Sequence, residues 1–347
     1  MKKSLALLLT LLMLFSLCAC AQKAPEAASA PAEAAEAAEL AESAEPAEPA
    51  EPAAPAETAA PAEAVDTSAL KIACPNGAPA LALATLAVEN PDNYTIVAAD
   101  TITAEFSNAT ADFIIAPLNA GAKLYKAEKS TYKLAAVVSW GNLFFASQRA
   151  DFKLEDINGA DITLFGENTI NASIALYVLA QNGITPASVS YLAGAANTQQ
   201  LLLTDANAIV LTAEPALTAA RMKNEAITGC AVNELYKAAT GNDGYTQAAL
   251  FVKAELAEEQ SELVDAYLKQ VEASCEKCSS DLEAVAAAAV ALEILPNEKV
   301  AMSAIPNCAV RFVAAQDARE QVETTANVDL KQFGGALPAD DFYYASK

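Results

Sequence analysis

The sequence predicts an α/β protein in which two sheets face one cleft. From residue 69 onward, short β-branched or aliphatic runs alternate with longer helical patterns, the order expected of a largely parallel sheet covered on both faces. Past the N-terminus no apolar run is long enough to span a bilayer; the Ala-rich stretch 282–292 is short and has Glu283 and Glu293 near its ends. Four strand-to-helix junctions, at 75–79, 117–119, 166–169 and 212–215, carry the turn and capping residues of the chain, and two opposed sheets would bring all four together. In such folds ligands bind outside the carboxyl ends of the strands.

The first segment reads as an address. Lys2 and Lys3 precede an apolar run over 5–17, too short for a spanning helix of about 20 residues and fitting a secretory signal over 1–19. The run ends in Leu17-Cys18-Ala19-Cys20, which resembles a bacterial lipobox with Cys20 as the lipidated residue; ordinary cleavage near Ala19 or Ala21 is the alternative. Residues 20–68 then form an Ala/Glu/Pro tract with few apolar side chains larger than Ala, and it cannot bury enough surface to offset the entropy of ordering. A disordered stalk between anchor and domain is expected, its Pro-spaced second half extended at up to ~3.1 Å per residue.

Strands are expected at 70–74, 94–99 and 113–116, with helices at 80–89 and from Pro117-Leu118-Asn119 toward Lys126. Extended runs at 133–139 and 143–146 flank Trp140-Gly141-Asn142. A strand at 162–165 leads through a turn at 166–169 into a helix over 170–181, stopped by Asn182-Gly183. Strands at 188–191 and 208–211 follow, then a helix opened by Pro215 at its tolerated first position. A strand at 248–252 and helices over 255–274 and 280–292 complete the pattern.

The chemistry is defined as much by what is missing. The 347 residues contain no histidine, which removes Ser-His-Asp and Cys-His catalysis and any His-based metal site. Neither a phosphate-binding loop nor a dinucleotide fingerprint is present, and no carboxylate pair has a distinctive setting, so no catalytic residue, metal or cofactor is expected. A formal net charge of −23 argues against nucleic acid and against anionic lipid surfaces, leaving a lipid anchor as the only membrane contact. Cys275-x-x-Cys278 has no second such pair and falls in a helical pattern, so two incidental thiols or a local disulfide are expected there, with Cys230–Cys308 as a candidate long-range disulfide.

The candidate ligand-binding residues sit at the junctions. Asn76, Gly77 and Ala78 form the first; Pro117, Leu118 and Asn119 the second; Glu167, Asn168 and Thr169 the third; Glu214 the fourth. Each junction would aim the unpaired N–H groups of a first helical turn at the cleft. For Asn119 and Asn168 helix capping is the competing role. Trp140, Gly141 and Asn142 complete the set at the crossing between the sheets, where the indole serves either as a stacking surface or as core.

Several runs resemble substrate-binding lipoproteins of ABC importers of the nitrate, sulfonate, taurine and thiamine-precursor type. They are Ala111-Asp112-Phe113-Ile114-Ile115-Ala116-Pro117-Leu118-Asn119 with Leu124-Tyr125-Lys126, the crossing around Trp140-Gly141-Asn142, Glu214-Pro215, Ala304-Ile305-Pro306-Asn307-Cys308, and the final block beginning Gly334-Gly335-Ala336. The resemblance covers nearly all of 70–347. It implies a type II periplasmic-binding-protein fold, with lobe 1 at 69–149 and 247–347 and lobe 2 at 150–246. It also implies a monomeric, extracytoplasmic, membrane-anchored protein that captures a small solute and passes it to an ABC permease and its ATPase. Asn76-Gly77-Ala78-Pro79 departs from the family's Gly-Pro-Thr loop, and the 166–169 turn from its Gly-rich version. With Glu167 and Glu214 in the loops and no Lys or Arg, a neutral or cationic solute, heteroaromatic included, is favoured over an inorganic anion. A surface-exposed interaction lipoprotein with a degenerate cleft, or a carboxylate-dependent enzyme, are the alternatives.

Overall fold

The computed structural model describes residues 65–346. The expected signal segment, Cys20 and the stalk up to residue 64 lie outside the described residues. The described end of the stalk is tethered to the domain, where Thr67 Oγ1 donates to Gln270 Oε1 at 3.0 Å.

Among the described residues, eleven strands form two sheets. They are β1 Ile72–Pro75, β2 Tyr94–Val97, β3 Phe113–Pro117, β4 Tyr132–Ser139, β5 Leu143–Ser147, β6 Asp161–Phe165, β7 Ser188–Leu192, β8 Ile209–Ala213, β9 Thr228–Ala231, β10 Ala248–Lys253 and β11 Val310–Ala314. The first sheet has the order β11-β4-β10-β3-β1-β2 and the second β7-β6-β8-β5-β9. Between them run α1 Ala84–Glu89, α2 Glu105–Asn108, α3 Leu118–Lys126, α4 Ile170–Gln181, α5 Ala195–Thr204 and α6 Ala216–Arg221. The later helices are α7 Val232–Thr240, α8 Ala254–Glu259, α9 Ser261–Ser280, α10 Leu282–Ala291, α11 Glu298–Ala304 and α12 Arg319–Val328.

The α/β class is as expected, but the sheets are mixed rather than largely parallel. β1 pairs in parallel with β2 and β3, and β6 with β7 and β8. β10 and β5 run against their neighbours. The reason is connectivity. The chain leaves β4 through Trp140-Gly141-Asn142 and continues straight into the other sheet, so β5 enters from the cleft side; β10 re-enters the first sheet the same way. Leu143–Ser147 therefore belongs to the second sheet, a correction to the expected first lobe, which extends to residue 149.

The central strands of both sheets are buried on both faces, which is why they read as apolar runs. On β10, Ala248, Leu250 and Val252 face a core with Leu81, Val264 and Val271, while Ala249 and Phe251 face another with Phe106 and Phe342. In the second sheet Phe145, Leu164 and Leu211 face α4 and α7, and Val210 packs with Leu202 and Leu217 of α5 and α6.

Several elements differ from expectation for local reasons. The helix expected at 80–89 begins as a 3-10 turn over Ala78–Leu83. The long helix expected at 255–274 is two, because Gln260 adopts φ −135°, ψ 50° between α8 and α9. Pro215 is the N-cap of α6 rather than its first residue, after a cis peptide with Glu214. The five described cysteines are free, so the Cys230–Cys308 disulfide is overturned: Cys230 lies in the edge strand β9 of the second sheet, while Cys308 is buried in the core of the first, its thiol donating to the Ala304 carbonyl at 3.3 Å. Cys275 and Cys278 are buried thiols on one face of α9. Among the described residues no helix is long and apolar enough to cross a membrane.

Candidate functional site

All six parallel strands of the two sheets, β1 to β3 and β6 to β8, finish at one cleft, with the start of β10 beside them. The cleft has two adjoining compartments. The larger, about 790 Å³, is bounded by Asn76, Gly77 and Ala78 of the first junction, the β6 and β7 ends, Asn142, Glu214, and the segment after α10. The smaller, about 320 Å³, lies between Pro117 and Asn119 on one side and Asn168 and Thr169 on the other. Asn76, Pro79, Ala99, Thr169, Asn171 and Gln247 border both compartments. Depressions elsewhere, including one of about 620 Å³ beside the C-terminal segment, gather no comparable set of strand ends.

Helix starts shape this cleft. Thr169 caps α4, its Oγ1 accepting from the Ala172 N–H at 3.4 Å and donating to the Gly166 carbonyl at 2.6 Å. α3 begins after Pro117 without a side-chain cap, and Thr169, not Asn168, caps α4. The carboxamides of Asn119 and Asn168 are thus not spent on caps, and Asn119 Oδ1 is buried with no hydrogen-bond partner. Gly194 is the N-cap of α5, its N–H donating to Asn197 Oδ1 at 3.2 Å, and forms a fifth junction beyond the four expected.

Asn142 is 5 % exposed and ties the crossing to β8. Its Nδ2 donates to the Glu214 carbonyl at 2.8 Å, and its own carbonyl accepts the Glu214 N–H at 3.0 Å. Its Oδ1 lacks a partner in the folded chain. Glu214 is buried, and both carboxylate oxygens accept from Thr218, the backbone N–H at 3.0 Å and the hydroxyl at 2.9 Å. Burial pushes its carboxyl above the usual range, against the pull of those hydrogen bonds and of Arg221.

The remaining candidates sit elsewhere. Leu118 is fully buried core, and Glu167 is exposed and borders neither compartment. Trp140 is core, not a stacking platform: its Nε1 donates to the Arg311 carbonyl at 2.9 Å, and the Arg311 guanidinium lies 4.2 Å from the ring centroid. Gly141 belongs to the first crossing segment. It has φ +82°, a Cβ there would overlap Tyr245, and Asn233 Nδ2 donates to its carbonyl at 2.6 Å.

Several residues lining the cleft carry no sequence expectation, among them Asp100, Asn171, Gln247, Gln332 and Val300. Gln247, on the second crossing segment, accepts from Ser139 Oγ at 3.2 Å and donates to Asn171 Oδ1 at 3.3 Å; Tyr245 donates to the same oxygen at 3.1 Å. Asn171 is the second residue of α4, just past the predicted 166–169 turn, and that position is its signal in the sequence. Gln247 had none, because its role comes from the crossing.

Solved structures share this architecture. An ABC transporter structure from Parabacteroides distasonis superposes with a TM-score of 0.68 at 21 % identity, covering 81 % of this chain and 100 % of that one. The fold is that of ABC-importer substrate-binding proteins. A ligand-binding component of an ABC-type import system from Staphylococcus aureus gives a TM-score of 0.61 at 12 % identity, covering 80 % and 96 %. The periplasmic aliphatic sulphonate binding protein SsuA from Escherichia coli gives 0.62 at 14 % identity, covering 80 % and 91 %. No protein-family model and no curated protein matches the sequence. The expected type II periplasmic-binding-protein fold, two α/β halves joined by two crossing segments, is therefore the fold of this chain.

Proposed function

We propose that the chain is the extracytoplasmic solute-binding component of an ABC importer, tethered through a lipid on Cys20, acting as a monomer and delivering its solute to a permease and its ATPase. The observation that carries this reading is the convergence of six strand ends and the first turns of α3, α4 and α5 on one two-compartment cleft. Neither compartment is lined by a Lys, Arg or Cys, and no nucleophile-base pair borders them. Capture proceeds by closure of two lobes, built on the two sheets, about the segments 139–143 and 244–248. A solute that prefers the closed state draws the population toward it.

The solute is a small neutral or cationic organic molecule. Asp100 and Glu214 are the charged side chains bordering the larger compartment, and none borders the smaller. An inorganic anion or a sulfonate would gain from the helix N-termini but meet carboxylates and no basic side chain. Mass spectrometry of compounds released from purified protein tests this. Stoichiometric release of one neutral or cationic compound, which on re-addition raises the melting temperature and is recovered unchanged, supports it. Conversion of the compound would make the protein a carboxylate-dependent enzyme. Release of nothing, together with no stabilisation by a metabolite panel, would leave an interaction lipoprotein with a degenerate cleft.

A further inference from the structure

The two compartments differ in chemistry, and the difference describes the ligand more closely. Building on the solute-binding reading, we infer that the solute is two-ended. One end is uncharged, carries both hydrogen-bond donors and acceptors, and is read by a ring of carboxamides in the smaller compartment. The other end is apolar and lies in the larger compartment against the segment that follows α10.

Six carboxamide side chains border the smaller compartment: Asn76, Asn119, Asn168, Asn171, Gln247 and Gln332. No charged side chain joins them, and the rest of the wall is proline, alanine, isoleucine and the capping Thr169. Each carboxamide offers donors and an acceptor together. A ligand end bearing only acceptors, such as a carboxylate or sulfonate, would leave the carbonyl oxygens unpaired; one bearing only donors, such as an ammonium, would leave the N–H groups unpaired. Either mismatch costs more than the mean hydrogen bond contributes. Part of the ring is fixed in advance. Asn171 Oδ1 already accepts from Tyr245 and Gln247, so its Nδ2 is the group left for a ligand acceptor. Asn119 Oδ1 is buried and unpartnered, so it is the group left for a ligand donor. At about 320 Å³ the compartment equals roughly ten waters, enough for a substituted six-membered ring.

The larger compartment has a different wall. Ile294, Leu295 and Pro296, between α10 and α11, and Val300 on α11 border it opposite Ala213, Ala216 and Ala219. Glu214 is already engaged by Thr218, so the buried acceptor left over there is Asn142 Oδ1. Such a surface rewards apolar area, at about 25 cal/mol per Å² removed from water.

The test uses three pyridines that share a ring and differ in the charge and the donor and acceptor content of the 3-substituent: nicotinamide, nicotinate and 3-(aminomethyl)pyridine, each bare and with a butyl group on ring carbon 5. Binding to the purified protein is read by ligand-observed NMR and calorimetry. Nicotinamide is expected to bind best of the bare three, and a buried butyl group to raise its affinity on the order of a hundredfold. In Val300→Thr the ratio of butylated to bare nicotinamide affinity falls by threefold or more. In Asn119→Asp, which keeps the shape but replaces N–H donors with charge, preference moves to the aminomethyl compound. Nicotinate binding best, a butyl group that gains nothing in the unsubstituted protein, or a Val300→Thr variant that weakens bare and butylated probes alike would each overturn the inference. If no pyridine binds while a released cellular compound does, the two-ended assignment falls and the solute-binding reading stands; if neither binds, both fall.

Discussion

Glu214 joins structure to chemistry at the residue scale. Its carboxyl is raised by burial, so the unfolded chain, with a value near 4.5, ionises first as pH climbs. Its contribution to stability therefore declines from about pH 4.5 up through the raised folded value and is flat above it; each unit of elevation is worth about 1.4 kcal/mol. Glu214→Gln keeps an acceptor for the Thr218 N–H and should remove that part of the slope, read as urea midpoints of the two proteins against pH. A cationic solute would favour the ionised carboxylate, so its affinity should rise with pH through the same raised value and then level off; a neutral solute should show no such rise. The thiols give an independent check. Burial pushes Cys74 and Cys278 up to about 12, and the five described cysteines are free. A thiol-disulfide reagent should leave the buried Cys74, Cys275, Cys278 and Cys308 untouched in folded protein at neutral pH and titrate all of them in denaturant.

Among the elements, the two crossing segments carry the most constraint. Gly244 has φ +98°, and a Cβ there would run into the Trp140 carbonyl, so neither the backbone conformation nor the space admits another residue. Gly244→Ala should cost on the order of 2–3 kcal/mol, measured by urea unfolding. The same junction is stiffened by charge: Asp243 lies 3.1 Å from Lys237 and 3.4 Å from Arg311, and the hydrogen bond from Lys237 holds its carboxyl below the usual range. Elements differed in how legible they were. β3 and α3 were readable because an apolar run at 113–116 meets a proline, and α4 because Asn182-Gly183 stops it. β9 escaped: Thr228-Gly229-Cys230-Ala231 has little β-branched content, and its place is set by pairing with β5. β11 differs, because Val310-Arg311-Phe312-Val313 carries a local strand signal in its β-branched and aromatic residues, and pairing with β4 places it at the sheet edge.

For the whole molecule, the proposed capture by closure makes binding visible in stability. A solute at one hundred times its dissociation constant should stabilise the folded protein by about 2.7 kcal/mol. The rise in melting temperature should grow with the logarithm of solute concentration. Small-angle scattering should report a smaller radius of gyration in the same samples. Because Asn171 belongs to the second sheet's half and Gln247 to the crossing, Asn171→Ala should weaken solute binding more than it weakens the fold, a difference between calorimetric affinity and urea midpoint.

By itself, the sequence determined the α/β class, the lack of histidine chemistry, the absence of basic side chains in the cleft loops, and most strand-to-helix junctions. These follow from local periodicity, composition and turn residues, which act over a few neighbours in the chain. Tertiary structure alone decided that Trp140 is core, since the groups that claim its indole come from Arg311, 171 residues later. It also decided that Cys230 and Cys308 stay apart, that the sheets are mixed, and that Gln247 reaches the cleft. In each case the deciding partner is distant in sequence and is delivered by the two crossings, and no local pattern encodes where a crossing will bring its neighbours.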